Sequence, residues 1–115
     1  MKWQTIVETP EFLKVADKFG DREVIDEMVE AIANNPEIGD IIPRTGGCRK
    51  LRWQRNKSTG KSGGFRTIYY YYDNSMPIYL LLSYPKSVRD NIDDEILNAL
   101  KSLVKNLVKA HKKER

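Results

Sequence analysis

Lys50 and Arg52 stand two residues apart in the alternating stretch 47–53, and Arg66 opens the next apolar stretch, 65–72. On a β-strand, residues two apart share a face, so Lys50 and Arg52 are expected to project side by side. With a hairpin loop at residues 54–64, Arg66 comes back opposite them on an antiparallel partner. Three cations on one sheet face repel each other, and an anion relieves that cost. A phosphodiester is such an anion. RNA also carries its own nucleophile, the 2′-hydroxyl, so a base, an acid and charge-stabilising cations suffice to cleave it without a metal. Crowding of like charge eases proton release from a lysine, which prepares it for that role. The same residues would equally serve as phosphate anchors in a module that binds and never cuts. Residue chemistry leaves the two readings level.

Other catalytic signals are missing. His111 is the single histidine and lies in a basic tail, which excludes a two-histidine ribonuclease mechanism and argues against a histidine-based metal site. Cys48, the single cysteine, has no evident His–acid partner and reads as a small core thiol. Gly60-Lys61-Ser62-Gly63-Gly64 lacks the spacing of a nucleotide phosphate loop. Asp93, Asp94 and Glu95 cluster where a helix begins and read as caps. The expected set therefore holds no metal and no cofactor.

Charge is unevenly spread along the chain. Residues 1–40 sum to −6, residues 41–89 to +9 and residues 90–115 to +1. The central excess comes from Arg44, Arg49, Lys50, Arg52, Arg55, Lys57, Lys61, Arg66, Lys86 and Arg89 against Asp73 alone. A positive field so concentrated suits a polyphosphate partner. Lys50, Arg52, Arg66 and Lys86 are the expected catalytic set, and Arg49, Arg55, Lys57, Lys61 and Arg89 the expected RNA-binding set.

The elements that must position these residues are legible in outline. Residues 3–8 alternate as a short strand. Thr9 caps a first helix with Pro10 at its first position, Phe12, Leu13 and Ala16 form its stripe, and Gly20 suits its end. Asp21 caps a second helix with Val24, Met28, Ala31 and Ile32 as its stripe, stopped at Asn34-Asn35-Pro36. After a loop at 36–46 come strands at 47–53, 65–72 and 78–84, the last apolar on both faces as a central strand should be. A last helix starts near Asn91 or Asp93, with Ile96, Leu100, Leu103 and Leu107 as its stripe, widened by Leu97, Val104 and Val108. The order β-α-α-β-β-β-α predicts an α+β fold: a small, mostly antiparallel sheet with two N-terminal helices and one C-terminal helix.

The 115 residues have room for one domain, taken as 1–115. No apolar run approaches a membrane span, and the N-terminal Met1-Lys2-Trp3-Gln4-Thr5 has no apolar signal region. With one cysteine and no disulfide to form, the cytoplasm is the expected compartment.

An ordered series of segments resembles RelE/HigB toxins of type II toxin–antitoxin pairs. It runs from Asn35-Pro36 and Gly39-Asp40 through Gly46-Gly47-Cys48-Arg49-Lys50-Leu51-Arg52-Trp53 and Gly63-Gly64-Phe65-Arg66-Thr67-Ile68-Tyr69-Tyr70 to Leu82-Ser83-Tyr84-Pro85-Lys86. The paired Gly-Gly motifs are most similar to the HigB side of that family. The resemblance implies a RelE-like microbial ribonuclease fold and a ribosome-dependent endoribonuclease that cuts mRNA and stops translation. It implies a cognate antitoxin as inhibitor, the ribosome and mRNA as partners, and operator DNA only through the antitoxin complex. Lys50 and Arg52 match the family's paired basic residues, Arg66 its arginine on the next strand, and Lys86 its basic stretch after the last strand. The chain departs from the pattern at Ser87, where RelE has another arginine, and in having no tyrosine beyond Tyr84. His111 lies too far along to replace the histidine of some HigB members, so the general acid is unassigned. A ParE-like gyrase poison on the same scaffold and a non-catalytic RNA-binding module are the alternatives.

Overall fold

The computed structural model describes residues 4–19, 22–54, 64–85 and 92–113. Its elements are β1 (Ile6–Glu8), α1 (Pro10–Phe19), α2 (Arg22–Asn34), β2 (Asp40–Ile41), β3 (Cys48–Gln54), β4 (Gly64–Tyr70), β5 (Ile78–Pro85) and α3 (Asp94–Lys113). The strands form one sheet in the order β1-β5-β4-β3-β2. β2, β3, β4 and β5 pair antiparallel, and β1 joins β5 in parallel. The fold is α+β, as the order of elements predicts. The first strand returns to pair beside the last one, which makes the sheet mixed.

α1 and α3 start where the sequence says they should, while the expected stop at Gly20 and cap at Asp21 lie outside the described residues. Thr9 Oγ1 accepts the Phe12 N–H at 3.3 Å and donates to the Leu80 carbonyl at 2.7 Å, so one hydroxyl caps α1 and ties it to β5. Asp93 accepts the Ile96 N–H at 3.0 Å and caps α3, which selects it over Asn91. The stripes are rotated slightly from expectation. In α2 the buried residues are Ile25, Met28 and Ile32, while Val24 and Ala31 are only partly covered. In α3 they are Leu97, Leu100 and Val104, and Leu103 is exposed. Sequence periodicity gives a stripe wide enough to hide this shift; the crossing angle on the sheet decides its centre.

Two cores lie on opposite faces of the sheet. Phe12, Ile25, Met28 and Ile32 from α1 and α2 pack on Leu51, Phe65, Tyr69, Ile78 and Leu80. Leu100 and Val104 from α3 pack on Cys48, Ile68, Tyr70, Leu81 and Tyr84. β5 is covered on both sides, as its uninterrupted apolar run requires. The tyrosine run belongs mostly to these cores. Tyr69 and Tyr70 are buried and Tyr71 half-buried, and β4 ends before the exposed Tyr72 instead of continuing through it.

The loop expected at 36–46 contains the two-residue edge strand β2, too short to carry a periodic signal. Tyr69 holds it in place. Its hydroxyl donates to the Pro36 carbonyl at 2.7 Å and accepts the Gly39 N–H at 2.9 Å. A Cβ on Gly39 would lie 2.9 Å from the Tyr69 ring and 3.0 Å from the Lys50 carbonyl, so close approach requires glycine there.

A cationic face on β3 and β4

Alternation along β3 sends Cys48, Lys50 and Arg52 to the α3 side of the sheet and Arg49, Leu51 and Trp53 to the α1/α2 side. The β3–β4 register sets Arg52 directly opposite Arg66 and Lys50 opposite Ile68. Lys50 is thus the diagonal neighbour of Arg66, with backbones about 7 Å apart. The structure brings the three expected cations together on one face. Lys50 is half-buried, Arg52 is exposed and Arg66 is only 8% exposed. Among the described residues, none makes a hydrogen bond or an ion pair with these three side chains. A nearly buried guanidinium with no counter-charge among the described residues carries a desolvation cost that an incoming anion would offset.

The same row extends to β5. Arg66 lies opposite Tyr84, so Arg52, Arg66 and Tyr84 stand abreast across three strands. Sequence reasoning placed Tyr84 in a motif but gave it no place in the site. The reason is a bulge. The register shifts after Ile68, with Tyr69 opposite Leu80 but Ile68 opposite Leu82, which leaves Leu81 as the extra residue. Without that shift Ser83 would face Arg66. With it, Ser83 turns to the other face, where its hydroxyl donates to the Phe12 carbonyl at 3.2 Å.

Arg49, expected in the RNA-binding set, is separated from the cationic face. It points to the opposite side of the sheet and donates to the carbonyls of Gly39 at 2.8 Å and Glu37 at 3.3 Å. Its guanidinium also lies 3.7 Å from the Glu37 carboxylate. Adjacent positions on a strand face opposite ways, and the charge of Arg49 is engaged in holding the β2 segment. Lys86, Arg55, Lys57, Lys61 and Arg89 lie outside the described residues, as does the hairpin loop expected between β3 and β4.

The remaining reactive side chains lie elsewhere. Cys48 is fully buried, and loss of hydration pushes its thiol up to about 11 despite a contact with Thr45. It is protonated at neutral pH and is no nucleophile. His111 sits near the end of α3, 3.1 Å from the Ser75 hydroxyl, which also bonds Asp73. Among the described residues, no three His, Cys, Asp or Glu side chains are grouped to hold a metal ion. No helix there is long and apolar enough to cross a membrane.

The chain is thus an α+β domain whose sheet carries on one face a row of cations with no counter-charge among the described residues. The chain belongs to the RelE toxin family: the model described as "RelE toxin of RelE / RelB toxin-antitoxin system" matches residues 6–114. Among solved structures, the fold is similar to the free state of a double-arginine mutant of the E. coli toxin RelE. That likeness has a TM-score of 0.58 and 17% sequence identity, and covers 78% of this chain and 90% of the other.

Proposed function

We propose that this toxin is a ribosome-dependent endoribonuclease that cuts mRNA, and that it stands on the HigB side of its family. The observation that carries this reading is the row of Arg52 and Arg66 with Lys50 diagonal to it, without counter-charges among the described residues. In this reaction the 2′-oxygen attacks the adjacent phosphorus and the bond from phosphorus to the 5′-oxygen breaks. The products are a cyclic phosphate end and a 5′-hydroxyl end. Negative charge grows on the non-bridging oxygens, where Arg66 and Arg52 meet it. A guanidinium donates two parallel hydrogen bonds to such a pair of oxygens, which a point charge does not do. In this reading Lys50 takes the proton from the 2′-hydroxyl, and Lys86 adds a further cation to the phosphate.

The described part of the site holds cations but no evident general acid, and in-line geometry must come from outside it. Ribosomal RNA that orients the 2′-hydroxyl would supply it. The purified toxin is therefore expected to cut free RNA slowly and ribosome-bound mRNA rapidly. Mapping mRNA ends after induction, and in a reconstituted translation reaction with and without ribosomes, tests this. Internal cuts only with ribosomes support the reading. Equal cutting of naked RNA would remove ribosome dependence, and DNA damage without mRNA cuts would favour a gyrase poison.

A cognate antitoxin is the expected inhibitor, with operator DNA bound only through the complex. Arg55, Lys57, Lys61 and Arg89 belong to the proposal as phosphate anchors to ribosomal RNA. Replacing Arg55, Lys57 and Lys61 together with serine is expected to weaken ribosome binding and flatten its salt dependence.

A further inference from the structure

The edge strand β2 brings an acid to the cationic face. Asp40 is the direct cross-strand partner of Lys50. Paired residues on antiparallel strands project to one side, with Cβ atoms about 5 Å apart. Two positions on, Ile42 packs in the core beneath α3, so this is the side that carries Lys50, Arg52 and Arg66. The two side chains nevertheless make no ion pair. Among the described residues, the exposed Asp40 carboxylate has no hydrogen-bond or ion-pair partner. The segment that carries it is fixed from both ends. The Gly39 N–H and carbonyl bond Tyr69 and Arg49, and the Ile42 N–H donates to the Cys48 carbonyl at 2.8 Å. A strand of two residues thus holds one carboxylate beside one half-buried lysine.

A carboxylate at the border of a phosphate site repels the substrate, so it needs another reason to be there. Lysine has a long flexible stem, and beside Arg52 and Arg66 alone the Lys50 ammonium would turn to a phosphate lying over them. It would then be a third anchor and no base. Asp40 pulls the other way. It stands on the far side of Lys50 from β4, two strand spacings or about 10 Å from Arg66. Salt screens much of its field at that distance, and far less of it at Lys50. We propose that Asp40 is the positioning residue for Lys50: its carboxylate accepts a hydrogen bond from Nζ and holds it on the β2 side of the phosphate. An amine held so turns its lone pair away from the carboxylate and toward the ribose hydroxyl, as a third group orients a general base elsewhere. When Lys50 takes the 2′-hydroxyl proton it becomes an ammonium, and Asp40 meets that charge. This rests on the nuclease reading of the face.

Asp40→Asn and Asp40→Glu, each also combined with Lys50→Met in the full chain, test this. In cleavage of mRNA on ribosomes, Asp40→Asn should lower kcat about tenfold with KM unchanged or lower. Asp40→Glu should recover most of that rate, and the melting temperature of both should hold. With Lys50→Met in place, Asp40→Asn should cost nothing further, since its effect passes through the lysine. A single-stranded oligonucleotide with 2′-deoxyribose throughout cannot be cut by this chemistry and reads the same coupling in binding. Asp40→Asn should tighten its binding with Lys50 present, as the released ammonium turns to phosphate, and do so less with Lys50→Met. Equal tightening with and without Lys50 overturns the proposal, because Asp40 then only repels anions. So does a fall in kcat that persists in the Lys50→Met background, or one that follows a fallen melting temperature. Oligonucleotide binding needs no cleavage. A toxin that shows the coupling and cuts no mRNA upholds the Asp40–Lys50 pair and overturns the nuclease reading, and one that cuts without the coupling does the reverse.

Discussion

Arg66 on β4 lies directly opposite Arg52 on β3, two like charges set against each other where a cross-strand pair would ordinarily be opposite in sign or apolar. Such a pair weakens the sheet in the free protein. It is worth having only if something negative comes to lie over it.

Arg66→Ala is expected to lower mRNA cleavage by about 10²-fold or more, the usual loss for one well-placed donor to transition-state charge. Melting temperature and antitoxin binding should hold, because the change relieves repulsion and breaks no hydrogen bond among the described residues. Arg66→Lys should recover only part of the rate, since a point charge replaces a two-pronged donor. Surviving cleavage with a fallen melting temperature would make Arg66 structural.

Arg49→Ala should separate the two faces of β3. Loss of the bonds to Gly39 and Glu37 is expected to destabilise the fold by about 1–2 kcal/mol, while cleavage at saturating ribosomes stays near wild type. Denaturant unfolding and a cleavage assay on one preparation read both. Loss of cleavage without loss of stability would favour the RNA-binding role for Arg49.

Gly39→Ala has no room to place its methyl group between the Tyr69 ring and the Lys50 carbonyl. The expected cost is about 1–3 kcal/mol, as for other overpacked sites. Tyr69→Phe should lose the same tether more mildly, because the ring stays and only the hydroxyl bonds to Pro36 and Gly39 go. Equal stability of Gly39→Ala and wild type would refute the close approach.

Cys48 makes a pH prediction with a definite sign. Its thiol is raised from 9.0 to about 11 by burial, so the folded state holds the proton more tightly than the unfolded one. The resulting stability is fully present below pH 9 and is lost as pH rises through 11, by roughly 2–3 kcal/mol at most. Burial raises the Tyr69 and Tyr70 hydroxyls as well. Comparing wild type with Cys48→Ala across pH 8–11 isolates the thiol. The wild type should lose stability faster, and parallel curves would contradict the assignment.

Much of this protein was legible in its sequence because the signals are local. Thr9-Pro10 and Asp93 cap helices through atoms three residues away, and the alternation in 47–53 puts Lys50 and Arg52 on one face by backbone geometry alone. The meeting of these two with Arg66 followed from a hairpin, itself a short-range connection. Tertiary structure decided the rest. The extra residue Leu81 reverses the parity of β5, so that Tyr84 and not Ser83 joins the row; a bulge costs little locally and is selected by packing on both faces of the sheet. Arg49 could be counted as a cation but not assigned a partner, because the carbonyls it bonds belong to the Glu37–Gly39 turn, which Tyr69 from the distant β4 helps hold in place. The parallel pairing of β1 with β5 joins segments some seventy residues apart, and no periodicity within either strand encodes which neighbour it will find.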